Sequence, residues 1–111
     1  MAQVKHIVLF GAGKSATVLI DYLKVIAAEN IWQVTVADSN LSVVQEKVGM
    51  HDLVKAAQVN IENAEQRKAI VAKADIVISM MPPNLHHLVA LDCIELSKNL
   101  LTASYVSESI N

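Results

Sequence analysis

The chain has 111 residues, enough for one domain with a single core, and 53% of them are hydrophobic against 4% aromatic. Three glycines and two prolines complete an aliphatic composition that suits an α/β core and argues against disorder. The net charge of −2, with no basic run, sets aside nucleic acid and anionic membrane surfaces as partners.

MAQVKHIVLF is not expected to act as a signal peptide, since its apolar run is short and ends in glycine. No segment approaches the ~20 apolar residues needed to span a bilayer. The single cysteine, Cys93, cannot form an internal disulfide, which fits a cytoplasmic location.

The first informative stretch is His6–Ala16, HIVLFGAGKSA. Ile7–Phe10 reads as a buried strand, Gly11-Ala12-Gly13 as a turn, and a helix opens at Lys14. The pattern is G-x-G-x-x-A at Gly11, Gly13 and Ala16. Gly11 permits a tight turn, Gly13 lets the backbone approach a pyrophosphate, and Ala16 lets helix and strand pack closely. The helix N-terminus, with Lys14 and Ser15, offers N–H groups and positive dipole to the phosphates. A plain glycine turn without a nucleotide is the simpler alternative. Gly13-Lys14-Ser15 also spells the end of a P-loop, but that motif needs a glycine where this chain has Val8, so a triphosphatase is rejected.

The first helix is expected over Lys14–Ala28, with Ala16, Leu19, Ile20, Leu23, Ile26 and Ala27 on one face. Trp32–Ala37 reads as the second strand and ends at Asp38, about 25 residues after Gly13. An acid there can accept hydrogen bonds from the adenosine ribose and would repel a 2′-phosphate. Ser39 and Asn40 follow, so no arginine stands ready for that phosphate; the alternative is that Asp38 only shapes a turn before a helix capped by Ser39 or Asn40. Leu41–Val48 is a short helix stopped by Gly49. A third strand is expected from near Val54 to Ile61, with Asn60 at its carboxyl end, either near adenine or forming a turn.

Asn63 and Gln66 form a capping box for a helix over Ala64–Ala74. Ile76–Met81 is the fourth strand, terminated by Pro82-Pro83, and Ser79 near its end is either a tolerated small residue or a crevice residue. Asn84 is expected to cap a helix over Leu85–Lys98 that is apolar on more than one side, and Leu100–Tyr105 is the fifth strand. His86 and His87 point ~100° apart on a helix, and Cys93 adds no ligand spacing, so no metal site is expected. The alternation implies a Rossmann-type α/β fold: a doubly wound parallel sheet of about five strands, in the order 3-2-1-4-5.

The stretches DIVISMMPPNLHHLVALDCI and LLTASYVSESI resemble the N-terminal domain of saccharopine dehydrogenases, particularly bacterial members of the glutamate-forming saccharopine reductase type. That family has a G-x-G loop, a strand ending V-I-S-x-x-P, a His four residues after that Pro, and then T-[ST/A]-S-Y-V-S. The counterparts are Gly11 and Gly13, Val77-Ile78-Ser79, Pro82, His86 and Thr102-Ala103-Ser104-Tyr105-Val106-Ser107. The resemblance implies a parent enzyme that oxidises saccharopine with NAD(P), or reduces the imine of aminoadipate semialdehyde and glutamate. It implies that Gly11, Gly13, Lys14 and Ser15 hold the pyrophosphate, with Asp38 and Ser39 at the ribose. Ser79, Pro82 and His86 would then line the nicotinamide end, and Ser104 and Tyr105 would meet a small amino-acid substrate. Some members carry an arginine after the second strand and prefer NADP; Asp38-Ser39 here favours NAD.

Family enzymes continue for several hundred residues. Residues 1–111 are therefore expected to be a cofactor domain that binds without turnover, with the catalytic acid in the remainder of the parent. A homodimer is one assembly the parent could adopt. Two other classes share this pattern: an enzyme making carboxylated polyamines by reductive condensation, and a regulatory nucleotide-sensing domain of the potassium-transport type. The SYVS stretch speaks against the second of these.

Overall fold

Five strands and four helices alternate in the computed structural model, which describes residues 5–13 and 16–102 apart from the side chains of Pro83 and Thr102. They are β1 (His6–Phe10), α1 (Ala16–Asn30), β2 (Gln33–Asp38), α2 (Leu41–Val48), β3 (Val54–Gln58), α3 (Ala64–Lys73), β4 (Ile76–Ser79), α4 (Pro83–Glu95) and β5 (Asn99–Thr102). The sheet runs β3-β2-β1-β4-β5 and every pairing is parallel, as the alternation of strands and helices led us to expect. Phe10 stands beside Ala37 on one side and Ser79 on the other, and Ser79 stands beside Thr102. The carboxyl ends of β1, β2, β4 and β5 therefore lie level along one edge.

Successive residues of a strand face opposite ways, so β1 feeds two cores. Ile7 and Leu9 pack with Ile20, Leu23, Val36 and Val44, beneath α1 and α2. Val8 and Phe10 pack with Val71, Val77, Val89 and Cys93, beneath α3 and α4. Ala16, Ile20, Leu23 and Ala27 are the buried residues of α1, spaced for a 3.6-residue turn. The apolar residues on the far side of α4 stay open among the described residues, with Leu91 58% and Ile94 76% exposed.

Several boundaries differ from the sequence expectation, each for a local reason. α1 runs on to Asn30 because Ile31 takes a left-handed backbone (φ 56°) and Trp32 N–H donates back to Ala27 O at 3.1 Å. That bond removes Trp32 from β2. β3 stops at Gln58, so Asn60 lies in the following turn. β4 stops at Ser79, and Met80 and Met81 leave the strand. Pro83, whose fixed φ suits a first helical position, starts α4 early, and Pro82 rather than Asn84 is its N-cap. Of the expected fifth strand, positions 103–105 lie outside the described residues. Of the two candidates for capping α2, Asn40 is the one used, its Oδ1 accepting from Val43 N–H, and Asn63 Oδ1 accepts from Gln66 N–H as expected. The Gln66 side chain accepts from Asn60 N–H instead of closing the capping box on Asn63.

Two expectations follow from these features. A left-handed backbone costs an L-residue about 1–2 kcal/mol, partly offset in glycine by a freer unfolded chain. Ile31 is 66% exposed, so little packing is at stake. Ile31→Gly should raise stability by about 0.5–1 kcal/mol, seen as a higher urea midpoint at unchanged slope. Burial, and then the neighbouring Asp92 carboxylate, push the Cys93 thiol up from its ordinary value of 9.0. The unfolded chain thus gives up this proton at a lower pH than the folded one. Its contribution to stability is whole below about pH 9 and drains as pH rises toward the folded value. Urea melts from about pH 8 to 10 should show that fall, and Cys93→Ala should make it shallower.

Candidate functional site

α1 and α2 cover one face of the sheet and α3 and α4 the other, so the chain leaves β1 and β4 in opposite directions. The crevice between those strand ends is where open α/β sheets take ligands. The glycine turn lies there. Gly11 N–H donates to Ala37 O at 2.8 Å, and Ala16 N–H to Gly13 O at 3.0 Å, which starts α1. Gly11 has φ 102°, and a Cβ on it would stand 3.2 Å from the Met80 carbonyl carbon. Glycine is required there twice over, by backbone angle and by the neighbouring strand exit. Gly13 is different: it is exposed, its φ is ordinary, and a Cβ would meet no described atom within 4 Å. Ala16 is 1% exposed and packs in the first core. Lys14 and Ser15 lie outside the described residues.

Asp38 ends β2 half-buried, with both carboxylate oxygens engaged. Oδ2 accepts from Ala12 N–H at 2.6 Å; Oδ1 accepts from the Ser39 hydroxyl at 3.2 Å and Asn40 N–H at 3.3 Å. The acid thus shapes the turn before α2 and also clasps the glycine turn, a contact that sequence spacing did not reveal. Three of about four lone-pair positions are taken, which leaves acceptor capacity at the crevice.

Lys47, near the end of α2, was missed altogether. Its Nζ donates to Gly13 O at 2.7 Å and to Thr17 Oγ1 at 2.8 Å, tying the turn and the start of α1 to α2. Lys24 Nζ in turn donates to Lys47 O at 2.7 Å. A lysine in the last turn of a helix ordinarily reads as favourable to the helix dipole, so no sequence signal marked it.

Beside Asp38 lies a pocket of about 200 Å³, floored by Phe10, Ala37 and Val59 and walled by Ile61, Met81 and Leu85. Asn60 borders it from a turn, its Oδ1 accepting from Glu62 N–H at 3.1 Å. Asn60 therefore forms a turn at the edge of this pocket.

Ser79 and His86 come together. Ser79 is 1% exposed, with Oγ 2.9 Å from His86 Nδ1 and accepting from Met81 N–H at 3.4 Å. The Ser79 hydroxyl is therefore sealed behind its neighbours, and half-buried His86 stands in the first turn of α4, its N–H donating to Pro82 O at 2.8 Å. Pro82 is exposed. Ser104 and Tyr105 lie outside the described residues.

The two glycines of the turn should respond oppositely to a methyl group. Gly11→Ala meets both a disfavoured φ and the Met80 backbone and should cost about 2–3 kcal/mol, lowering the melting temperature by several degrees. Gly13→Ala meets neither obstacle among the described residues and should leave stability within about 0.5 kcal/mol. Thermal melts of the two variants check the contrast.

The geometry can be set beside known proteins. The family model described as "Saccharopine dehydrogenase NADP binding domain" matches residues 7–111. An alpha-aminoadipic semialdehyde synthase of Arabidopsis thaliana is 40% identical over 76 residues, covering 68% of this chain and 7% of the relative. The mitochondrial alpha-aminoadipic semialdehyde synthase of Bos taurus is 28% identical over 111 residues, covering 99% of this chain and 12% of the relative. Among solved structures, apo saccharopine dehydrogenase (L-Glu forming) from Saccharomyces cerevisiae superimposes with a TM-score of 0.75 at 28% identity. That match covers 88% of this chain and 21% of the yeast chain. The chain thus spans about an eighth or less of the curated relatives it matches. With a parallel sheet in the Rossmann order, a glycine turn at its switch point and a family match over residues 7–111, the chain belongs to the saccharopine dehydrogenase NADP-binding-domain family.

Proposed function

We propose that this chain is the dinucleotide-binding domain of a longer saccharopine dehydrogenase-like oxidoreductase acting on the CH–NH bond of saccharopine. The observation that carries this reading is the turn itself. Gly13 stands open with no described atom to exclude a methyl group, while Asp38 holds the Ala12 N–H before it and Lys47 holds its carbonyl. A glycine that its own chain does not require points to a ligand approaching the backbone. Lys47 adds positive charge beside that backbone, as a pyrophosphate would want.

In this reading Gly11, Gly13, Lys14 and Ser15 hold the pyrophosphate, Asp38 and Ser39 the adenosine ribose, and the pocket beside Asn60 the adenine. Pro82 and His86 border the nicotinamide end, with Ser79 orienting the His86 ring through the 2.9 Å contact. Ser104 and Tyr105 contribute to binding an amino-acid substrate. Bound nicotinamide supplies hydride transfer, and the chain supplies position and electrostatics. The chain alone binds cofactor without turnover, its substrate-binding partner domain being part of the longer protein. A cytoplasmic location is consistent with the free, buried Cys93, although the bovine relative is named mitochondrial. Among the described residues no helix is long and apolar enough to cross a membrane.

NAD is the preferred cofactor in this proposal, although the family description names NADP. The Asp38 carboxylate would repel a 2′-phosphate, Ser39 and Asn40 carry no charge, and Lys47 is already engaged by Gly13 and Thr17. Calorimetric titration should give NADH at least about tenfold tighter than NADPH, a difference of about 1.4 kcal/mol. Asp38→Asn keeps an oxygen for Ala12 N–H and should narrow that gap. Gly13→Ala should weaken both cofactors about tenfold or more. Tighter NADPH would overturn the preference, and absence of binding by either would overturn the dinucleotide reading.

A further inference from the structure

Between α3 and α4 lies an ion pair that no expectation covered. Arg67 Nε donates to Asp92 Oδ2 and Arg67 Nη2 to Asp92 Oδ1 at 3.2 Å, a two-pronged pairing of guanidinium and carboxylate. Their side chains are only 7% and 2% exposed. Taking both charges out of water is costly, and apolar residues of similar volume often serve stability as well. What an apolar pair cannot do is use the guanidinium's remaining nitrogen. Arg67 Nη1 donates to Ile61 O at 2.7 Å.

Ile61 belongs to the turn between β3 and α3, which walls the pocket beside Asp38. The same turn is tied to α3 a second time, where Gln66 Oε1 accepts from Asn60 N–H at 2.9 Å. It closes on itself as Asn63 N–H donates to Asn60 O at 2.9 Å. The Asp92 end of the chain of contacts sits on α4, whose first turns supply Leu85 to that pocket and His86 to the far side of the crevice. One buried fork therefore spans from the helix that carries one wall to the backbone that forms the other.

We propose that Arg67, held by Asp92, is a positioning residue for the adenine half of the cofactor: it sets the Ile61 backbone and so the width of the pocket. The inference rests on the reading that this pocket takes the adenosine portion. ADP-ribose is the probe, because it fills that half and lacks nicotinamide. The double variant Arg67→Met with Asp92→Leu removes both charges at similar volume. It should melt near the parent temperature yet bind ADP-ribose about tenfold or more weakly. Arg67→Lys, which keeps a charge for Asp92 but lacks the fork, should show the same loss and covers the case where the double variant does not fold. Amide exchange at Asn60 and Asn63 should quicken in both variants without ligand.

Unchanged ADP-ribose affinity in a folded variant would overturn the proposal and leave the pair merely structural. Parent protein that binds NADH but not ADP-ribose would also overturn it. Parent protein that binds neither would instead defeat the dinucleotide reading on which it rests.

Discussion

β1 is paired on both edges and covered on both faces, so from Ile7 to Phe10 it has no side on which a polar group could reach water. Its side chains alternate between two separate cores, and each core needs its own helical layer. A helix pair on each face requires the chain to cross the sheet in both directions. That requirement creates a switch point, and the first strand ends at it. The crevice is thus a consequence of how the central strand is buried rather than an addition to the fold.

At that end the backbone must turn sharply beside a second strand that is leaving level with it. Gly11 solves the steric problem, since only a residue without Cβ tolerates φ 102° with Met80 at 3.2 Å. The turn then carries a buried amide, Ala12 N–H, that no strand can satisfy. An unpaired buried donor costs about 1–3 kcal/mol, and the Asp38 carboxylate removes that penalty at 2.6 Å. The acid at the end of the second strand is therefore structural before any ligand arrives. Lys47, on α2, completes the arrangement by holding Gly13 O. A turn held at two successive backbone groups loses less entropy on binding, which favours affinity.

The two helical layers differ in character. The layer of α1 and α2 meets the sheet through aliphatic residues. The layer of α3 and α4 contains a buried guanidinium–carboxylate pair, while both layers leave large apolar residues exposed on their outer sides, Val18 and Tyr22 on α1 and Leu91 and Ile94 on α4. Polar groups sealed at that depth demand full hydrogen bonding, and among the described residues no buried side-chain polar atom lacks a partner.

The amino-acid sequence by itself determined what depends on neighbours along the chain. The apolar run of β1, the glycine turn, the helical spacing of α1, the Asn63 cap, a cap at Ser39 or Asn40 and the alternation that orders the sheet were all legible there. Each rests on periodicity or on a side chain reaching two or three residues away. The tertiary structure alone decided the rest. That Asp38 reaches Ala12, that Lys47 reaches Gly13, and that Arg67 binds both Asp92 and Ile61 are contacts between elements remote in sequence. Ile31, in a left-handed turn where glycine or asparagine is the usual signal, could not be foreseen because the packing of α1 against β2 imposes the bend on a residue that resists it. Sequence patterns record which surfaces must be buried; which polar groups meet at the crevice is settled only when those surfaces have been brought together.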